Sequence, residues 1–516
     1  MTRPPAAAPR VRRTRISLAR VAVVLVSTVA LGWTGIHAVS ALVTTPALTP
    51  PSAFAAYVDV TVTPTYPFET PSGPPQSNVI LAFVVAGPDR PCVPMWGGAY
   101  TLDGAAADLQ LDRRISQLRL TGGQARVSFG GQQGDELAST CTDPTALRDA
   151  YAAVVDRYQL TSIDLDLEGT VLADTTGAAR RAAAIKGVQD LARASGRSLA
   201  VWLTLPVAPT GLTDQGSAIV AGMLSAGVDV AGVNGMTMDF GTVTSPDQPL
   251  SDVVLQASTS LHDQLRSAYA RSGQPLDDAR AWGKVGITPM IGQNDVASER
   301  LTLADAVIIN QFAREHGVGQ LSMWSLNRDA TCGPPLPSVL SVVQTSCSGI
   351  DQGAQHFATV LAADLPVTFT AAEPSSSAAT SSPTSVLDAA DDPAHSPFPI
   401  WDPLGAYPGG TKTVWHHQVF QARYWTSGFA PDTPVASAQD SPWTLLGPVL
   451  PSDTPAPLPT LPAGSYPQWS STQAYVAGSR VQLGLVPYQA KWWSQGQQPG
   501  ASIVGGSPWV LVMTGS

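Results

Sequence analysis

The segment from Ile163 to Glu168 alternates three aliphatic side chains with three carboxyl groups. Successive side chains of a β-strand point to opposite faces, so Asp164, Asp166 and Glu168 are predicted to share one face. Carboxyl groups crowded together raise one another's pKa, and partial burial raises it further. At least one of them should keep its proton at neutral pH, as a general acid requires. Glycoside hydrolysis is the reaction most often built on such a set.

Two other interpretations of this acidic motif remain open. A calcium site is disfavoured, because hard cations usually take their oxygens from loops with Gly, Asn and backbone carbonyls, whereas the intervening residues here are aliphatic. A solvated edge strand is disfavoured because its other face is wholly apolar. The sequence therefore predicts no metal and no cofactor.

The composition excludes one class of partner and indicates several domains. The chain has 516 residues, of which only 13% are charged, and its formal net charge is −10. An acidic chain with few charges is a poor nucleic-acid binder, so we expect no nucleic-acid partner. The length exceeds that of one ordinary domain.

The amino terminus carries an export signal. Arginines between Arg3 and Arg20 precede an uncharged apolar run over 21–43. Residues 1–50 are therefore predicted to be either a cleaved signal peptide or an uncleaved membrane anchor, and both alternatives export the rest of the chain. We expect a secreted protein, or one anchored to the outer side of the cell membrane. Residues 51–77 are interpreted as a linker.

Four cysteines fit an oxidising compartment, where disulfides persist. We predict that Cys92 pairs with Cys141 and that Cys332 pairs with Cys347, because each pair falls within one stretch of the chain. The other two pairings, and four free thiols, remain alternatives.

Short apolar runs alternate with helix-length amphipathic segments over 78–352, which predicts repeated βα units and a parallel sheet. Eight units in a chain of this size make a closed (β/α)8 TIM barrel, with functional groups at the carboxyl ends of the strands. A doubly wound open sheet is the alternative. An eighth strand is expected between residues 98 and 120. The seven other predicted strands are 78–85, 124–131, 162–169, 199–207, 228–239, 285–291 and 321–326.

Beyond the barrel, the sequence predicts two small all-β modules separated by linkers. Residues 353–397 are rich in Ser, Ala, Thr and Pro, and 448–465 are rich in Pro, so both are interpreted as linkers. Sliding the chain by 68 positions aligns the flanking modules, 398–447 and 466–516, and reveals an internal repeat.

Each module carries more aromatic side chains than so small a core explains. Trp443 and Trp509, each after a Ser-Pro pair, are expected in the core. Each copy also has two adjacent aromatic residues, and one of each pair is expected to be exposed, because adjacent residues of an extended segment face opposite sides. Exposed planar rings suit stacking on the apolar faces of sugars.

The second copy resembles a known family of modules. Its segment from Tyr488 to Trp493, followed by Gly496 and Pro499, is similar to the chitin-binding carbohydrate-binding modules of families 5 and 12. The first copy is a looser match. The sugar-binding residues that this resemblance implies are Tyr488, Trp492, Trp493, Tyr424 and Trp425.

The barrel resembles the family 18 glycoside hydrolases, whose fourth strand carries Asp-x-x-Asp-x-Asp-x-Glu. Asp164, Asp166 and Glu168 match this pattern, whereas Thr161 replaces its first Asp. Further matches lie on other strands, and one of them departs from the family because Met238 stands where many members have Tyr. These matching segments are 128–131, 236–239, 289–295 and 323–325.

The resemblance implies a substrate-assisted retaining mechanism. Glu168 would protonate the glycosidic oxygen, Asp166 would orient the 2-acetamido group that attacks the anomeric carbon, and Asp164 would share a proton network with Asp166. Gly130 and Gly131 are expected to allow close backbone approach. The substrate-binding residues implied are Asp239, Met236, Met238, Trp324, Gly130, Gly131, Gln293 and Asn294.

The sequence thus predicts an exported, monomeric chitinase that cuts β-1,4 links between N-acetylglucosamine units. No long insertion is evident between the late strands, which favours a shallow cleft and internal cleavage. Two alternatives remain: an endo-β-N-acetylglucosaminidase acting on glycoprotein glycans, and a non-catalytic chitin-binding lectin.

Overall fold

A computed structural model describes residues 53–241, 248–365, 391–392, 396–436, 440–455, 457–500 and 507–513. The predicted leader, 1–50, and most of the predicted linker 353–397 lie outside these residues. No helix in the described part of the chain combines the length and the apolar character needed to cross a bilayer.

Eight parallel strands close into a barrel. The first consists of two short stretches, and it pairs at one side with the eighth strand (Ala53 with Gln320) and at the other with the second (Ala56 with Val79). All the other neighbouring pairs are also parallel. The predicted (β/α)8 fold is therefore confirmed. In chain order, the barrel strands are Ala53–Phe54 with Ala56–Asp59, Asn78–Gly87, Gln124–Gly130, Ser162–Asp166, Ala200–Ala208, Val230–Met236, Val285–Thr288 and Gln320–Leu321.

The prediction that the remaining barrel strand lies between residues 98 and 120 is wrong. Residues 98–120 contain the helices Leu102–Asp108 and Leu111–Leu120, whereas the missing strand is the first one, Ala53–Asp59, inside the segment interpreted as a linker. This strand is buried on both faces, so it lacks the alternation that marks a half-buried strand.

Helices surround the barrel and bury their apolar faces against the outer side of the strands. Local signals set their ends: Thr302 and Asp305 form a capping box at the start of Leu303–His316, and Gly317 ends this helix with a left-handed φ of 68°. The helices are Leu102–Asp108, Leu111–Leu120, Leu137–Thr140, Pro144–Arg157, Thr175–Ala194, Asp214–Ser225, Leu250–Arg271, Asp278–Trp282, Leu303–His316 and Phe357–Leu361.

The barrel domain extends past the predicted boundary at residue 352. The carboxylate of Asp329 accepts hydrogen bonds from the backbone N–H groups of Phe357 (2.7 Å) and Ala358 (2.9 Å), which holds the helix Phe357–Leu361 in place. Phe357 and Leu365 are buried in the barrel core. Residues 353–365 therefore belong to the barrel and not to a linker.

Both predicted disulfides are present, Cys92–Cys141 and Cys332–Cys347. Cys92 lies on Arg90–Trp96, which pairs antiparallel with the second barrel strand and with Tyr100–Thr101. The second disulfide closes a loop after the eighth strand.

The carboxyl-terminal part contains two all-β modules of the same design. In each module a three-stranded antiparallel sheet accompanies a two-stranded one, and the first four strands of the second copy begin 68 positions after those of the first, the last one 66. Trp443 and Trp509 are buried in their cores, as expected. The strands are Ala406–Tyr407, Lys412–Trp415, Gln418–Ala422, Thr426–Ser427 and Trp443–Pro448 in the first module, and Ala474–Tyr475, Arg480–Leu483, Val486–Ala490, Ser494–Gln495 and Trp509–Leu511 in the second.

The Pro-rich segment 448–465 is not a free spacer. The Val449 N–H donates to the His417 carbonyl (2.9 Å) in the first module, and the Leu461 N–H donates to the Leu485 carbonyl (2.9 Å) in the second. Between these points, Asp453 forms a bidentate ion pair with Arg113 on the barrel helix Leu111–Leu120, with both N···O distances at 2.9 Å. Backbone hydrogen bonds and this ion pair therefore hold the segment against its neighbours.

Candidate active site

A cavity of about 370 Å³ opens at the carboxyl ends of the barrel strands. Its wall combines carboxyl groups with aromatic rings and methionines, which is typical of a pocket for a large polar ligand with apolar faces. The lining residues are Tyr57, Phe83, Gln132, Asp166, Glu168, Thr204, Pro206, Val207, Met236, Met238, Asp239, Thr288, Met290, Asp295 and Trp324.

The fourth barrel strand delivers the three carboxyl groups of the acidic motif. Ile163, Leu165 and Leu167 are buried in the core outside the barrel, so the acidic side chains between them face inward. Regular pairing ends at Asp166, but Glu168 keeps an extended backbone (φ −145°, ψ 174°) and therefore continues the alternation.

Asp164 is fully buried beneath the cavity and accepts three hydrogen bonds. Its Oδ2 accepts from the hydroxyls of Ser128 (2.7 Å) and Tyr57 (2.9 Å), and its Oδ1 accepts from Thr204 (2.7 Å). Burial raises the pKa of Asp164, while these hydrogen bonds and the charge of Arg126 oppose the rise. The carboxyl group is thus fixed by its surroundings and has little access to a ligand.

Asp166 sits one layer above, at the cavity wall. It is 5% exposed, and its Oδ1 makes no hydrogen bond with any residue that the structure describes. Burial raises the pKa of Asp166 well above its usual range, and the charges of Glu168 and Asp164 raise it further. An unpaired buried oxygen at a cavity wall is suited to contact a polar group of a ligand.

Glu168 is half-buried at the cavity surface. Burial raises its pKa, and the neighbouring charges of Asp239 and Asp295 add to the rise. A carboxyl group that is reachable from the cavity and holds its proton to higher pH than usual has the properties of a general acid.

Asp239 lies across the cavity at the end of the sixth strand. Its backbone has a positive φ of 53°, and its Oδ1 accepts a hydrogen bond from the Val296 N–H (2.9 Å). Burial raises the pKa of Asp239. Met236 and Met238 line the same wall, so the structure brings this predicted group together with the acidic motif.

Aromatic rings form the floor of the cavity. The Trp324 ring stacks on Phe83, with a centroid distance of 5.4 Å and an interplanar angle of 20°, and it tilts against Tyr57 at 5.9 Å. Trp324 is only partly buried, so one face is available to a ligand.

Gly130 and Gly131 allow a close approach of the backbone and supply no reactive group. A Cβ on Gly130 would lie 2.0 Å from the Asp166 carbonyl oxygen, and one on Gly131 would lie 2.8 Å from the Phe83 ring. Their φ values of 101° and 86° also favour glycine. These two positions allow the third strand to pass close to both the acidic motif and the aromatic floor.

The placement of Gln293 and Asn294 contradicts their predicted role in substrate binding. Both side chains are buried and neither lines the cavity. The Gln293 amide donates to backbone carbonyls of its own loop, including that of Asn294 (3.0 Å), and the Asn294 amide donates to the Met290 carbonyl (3.0 Å). These amides satisfy the backbone of the loop that presents Asp295.

Sequence reasoning missed several polar residues around the acidic motif. Asn234 donates to the hydroxyls of Thr204 (3.1 Å) and Tyr57 (3.3 Å), and it accepts from Thr288 (2.8 Å). A polar residue inside an apolar strand run was the available signal, because buried polar groups require partners. Among the described residues, no group of three or more His, Cys, Asp or Glu side chains is arranged to hold a metal ion.

The solvent exposure of the aromatic residues in the modules differs in part from the prediction. Tyr424 and Trp425 are 54% and 64% exposed, and Trp492 and Trp493 are 44% and 59% exposed, so both members of each pair face solvent. Residues 491 and 492 form a bend after the strand Val486–Ala490, so the alternation of an extended strand does not apply to the second pair. Tyr488 is instead buried in the module core, which contradicts its predicted role in sugar binding.

The chain is similar to known chitinases. No protein-family model matches it. It is 35% identical over 296 residues to the probable bifunctional chitinase/lysozyme of Escherichia coli (strain K12), and 34% identical over 276 residues to Endochitinase 11 of Metarhizium anisopliae. These alignments cover 56% and 52% of this chain, but only 32% and 50% of the two relatives. The chain therefore spans half or less of the length of these relatives.

Solved structures support the fold. The catalytic domain of the hyperthermophilic chitinase from Pyrococcus furiosus matches with a TM-score of 0.51 and 28% identity, over 60% of this chain and 94% of that domain. Catalytic-site mutants of a chitinase domain from the same organism, complexed with chito-oligosaccharides, match with a TM-score of 0.51 and 27% identity. The barrel therefore has the fold of these chitinase catalytic domains.

Proposed function

We propose that this protein is an exported family 18 glycoside hydrolase that cleaves β-1,4 links between N-acetylglucosamine units of chitin. One observation carries the proposal: Glu168, whose pKa is raised, lies at the surface of the cavity, two positions after the buried Asp166. The similarity to chitinases supports the substrate. The predicted leader and the two disulfides support export.

In the proposed reaction, Glu168 donates its proton to the glycosidic oxygen as the bond to the anomeric carbon breaks. The carbonyl oxygen of the sugar's 2-acetamido group attacks this carbon and forms a cyclic oxazolinium ion, so no side chain acts as nucleophile. Glu168 then takes a proton from water, which adds to the anomeric carbon and restores the acetamido group. The configuration of the anomeric carbon is retained.

The surroundings of Asp166 support this assignment. Its unpaired Oδ1 is an acceptor for the acetamido N–H, and its negative charge would stabilise the oxazolinium ion. Asp164 is held by three hydroxyls beneath it and acts on the ligand only through Asp166. Asp239 would contact the same sugar from the opposite wall, and Trp324 would support its apolar face.

The decisive experiment compares Glu168→Gln with the wild type on a fluorogenic chitobioside. The amide cannot donate the proton, so we expect kcat to fall by about 10³-fold or more, with little change in KM. Retained turnover would refute the assigned acid. Absence of turnover in the wild type, together with retained binding of chito-oligosaccharides, would favour the lectin alternative.

We propose further that the two modules bind chitin through their exposed ring pairs. Trp493→Ala should weaken retention of the full-length protein on chitin beads while leaving turnover of the soluble chitobioside unchanged, because this ring is 59% exposed and remote in sequence from the barrel. Trp509→Ala is the contrasting variant. Its ring is 4% exposed, and its loss should unfold the second module, at a cost of about 3–5 kcal/mol.

Cleavage within chains is the proposed mode of action. Between the seventh and eighth strands the chain contains only the hairpin Gly292–Gln293 with Arg300–Leu301 and the helix Leu303–His316. A cleft without a high wall on this side admits a chain along its length. Early release of long soluble fragments from chitin would support this mode, and disaccharides as the first products would contradict it.

A further inference from the structure

The two modules are joined by an ion pair between them. Lys491 Nζ of the second module lies 2.8 Å from Asp402 Oδ2 of the first, and the side chains are only 13% and 21% exposed. At the 68-residue offset, Asp402 corresponds to Ser470 and Lys491 corresponds to Arg423. The pair is therefore specific to this junction and is not a feature of each module.

An apolar contact accompanies the ion pair. Met513, near the end of the second module, packs against the core of the first module, which contains Trp401, Tyr407 and Trp443. The segment 448–465, which connects the modules, is also hydrogen-bonded to each of them. We call the Asp402–Lys491 pair and the Met513 contact the joint. Together, these contacts oppose independent rotation of the two modules.

The joint lies beside the exposed rings of both modules. Lys491 Nζ is 4.9 Å from the centre of the Trp492 ring. On the other side, the Asp402 N–H donates to the Tyr407 hydroxyl (2.6 Å), and Tyr407 pairs with Thr426, the residue after Trp425. The joint is thus connected to each ring pair through few contacts.

The second module also has the charge pattern expected for a neutral ligand. Residues 466–516 contain no Asp or Glu, and their two basic residues are Arg480 and Lys491. Arg480 bonds to Gln489 (3.1 Å) and Tyr466 (3.2 Å), and Lys491 is paired at the joint. A surface of exposed rings with one ion-paired lysine and one arginine hydrogen-bonded to neutral side chains favours an uncharged polysaccharide over a polyanion.

We propose that the two modules bind one polysaccharide surface as a single rigid unit, in which the joint fixes the Tyr424–Trp425 pair relative to the Trp492–Trp493 pair. This inference rests on the proposed binding of chitin. Once one pair is bound, the other is held at a fixed distance over the same polymer. Its binding then requires little further loss of conformational freedom, and the overall affinity exceeds that of either module.

Adsorption to crystalline chitin tests the proposal, using full-length protein that carries Glu168→Gln so that the polymer stays intact. Asp402→Lys places two cations at the joint and should weaken the apparent affinity by about tenfold or more. Combining Asp402→Lys with Lys491→Asp restores opposite charges and should recover most of the affinity. Asp149→Lys is the matched control, because it reverses an exposed acid that pairs with Arg148 on a barrel helix.

A distance measurement separates an opened joint from an unfolded module. All four cysteines are in disulfides, so Thr433→Cys and Ser471→Cys add two unique thiols for spin labels, one in each module. We expect a narrow distribution of label distances with the intact joint and a broad one with Asp402→Lys.

Three results would overturn the inference. One is an equally broad distribution with the intact joint, and another is unchanged affinity after Asp402→Lys. In both cases the proposed function would stand if chitin still retained the protein. Failure of the protein with the intact joint to bind chitin would overturn both the inference and the proposed ligand.

Discussion

Tyr57 donates a hydrogen bond to Asp164 over 2.9 Å, although 107 positions separate the two residues in the chain. Tyr57 belongs to the first barrel strand and Asp164 to the fourth, so only closure of the barrel brings them together. The same hydroxyl lies 2.9 Å from Thr204 and accepts from Asn234. It is therefore the centre of the network beneath the proposed catalytic acids.

Removal of this hydroxyl should impair catalysis more than folding. Tyr57→Phe deletes one of the three hydrogen bonds to Asp164, and a hydrogen bond to a charged group is worth about 1.5–3 kcal/mol. We expect kcat on a soluble chitobioside to fall about 10- to 100-fold, because the Asp164–Asp166 pair loses its fixed geometry. Tyr151→Phe is the control, since it removes a buried tyrosine–carboxylate bond to Glu136 away from the cavity. Equal losses of kcat in both variants would contradict the network's role.

The pH dependence of catalysis should report the charge of Asp295. Glu168 acts in its protonated form, so kcat/KM should fall as the pH rises through its raised pKa. The charge of Asp295 contributes to that rise, so Asp295→Asn should lower the pKa of Glu168 and move the alkaline limb to lower pH. Asp149→Asn, an exposed acid on a barrel helix, should leave the profile in place. If the alkaline limb of the kcat/KM profile stays in place in Asp295→Asn, the proposed effect of the Asp295 charge on Glu168 is ruled out.

The Asp166 carboxylate should stabilise the transition state of the reaction while it lowers the stability of the fold. Its pKa is raised in the folded state, so the charged form opposes folding once the pH exceeds the unfolded pKa. Asp166→Asn removes that charge and should raise Tm at pH 7–8, by about 2–4 °C for each kcal/mol gained. Below the pKa that the Asp166 carboxyl group has in the unfolded chain, position 166 is uncharged in both the wild type and the variant. The difference in Tm should then vanish. Turnover should fall at least about 100-fold.

The opposite sign in the melting experiment would show that the Asp166 carboxylate is stabilised in the fold by partners other than those the structure describes. Differential scanning calorimetry across pH is the suitable measurement, and Asp364→Asn, at an exposed acid paired with Arg314, is its control. That control should leave Tm nearly unchanged, because exposed ion pairs contribute little.

Gly131 should be needed for the shape of the cavity floor. Gly131→Ala places a methyl group 2.8 Å from the Phe83 ring at a φ of 86°, so it adds a clash to backbone strain. Gly122→Ala has a similar φ of 84° with nothing within 4 Å, and it isolates the strain of about 1–2 kcal/mol. We expect a larger loss of stability from Gly131→Ala and an increase in KM that Gly122→Ala does not share. Equal effects in thermal unfolding and kinetics would leave no role for the contact with Phe83.

Local patterns were sufficient for the central part of the site. The alternation from Ile163 to Glu168 determined which side chains share a face, because the pleat of a strand depends only on its own backbone. The same reasoning predicted the βα rhythm, the two disulfides and the internal repeat. It failed where a segment lacks periodicity, as in the doubly buried first strand, and where the backbone bends, as at Trp492 and Trp493.

The sequence by itself determined the fold class, the acidic face of the fourth strand and the presence of two aromatic modules, since each follows from the short-range spacing of residue types. Only the tertiary structure decided that Tyr57 supports Asp164, that Gln293 and Asn294 turn away from the cavity, and that Asp402 meets Lys491. These contacts join residues whose separation along the chain carries no periodic signal. They exist because barrel closure and module packing bring distant segments within hydrogen-bonding distance.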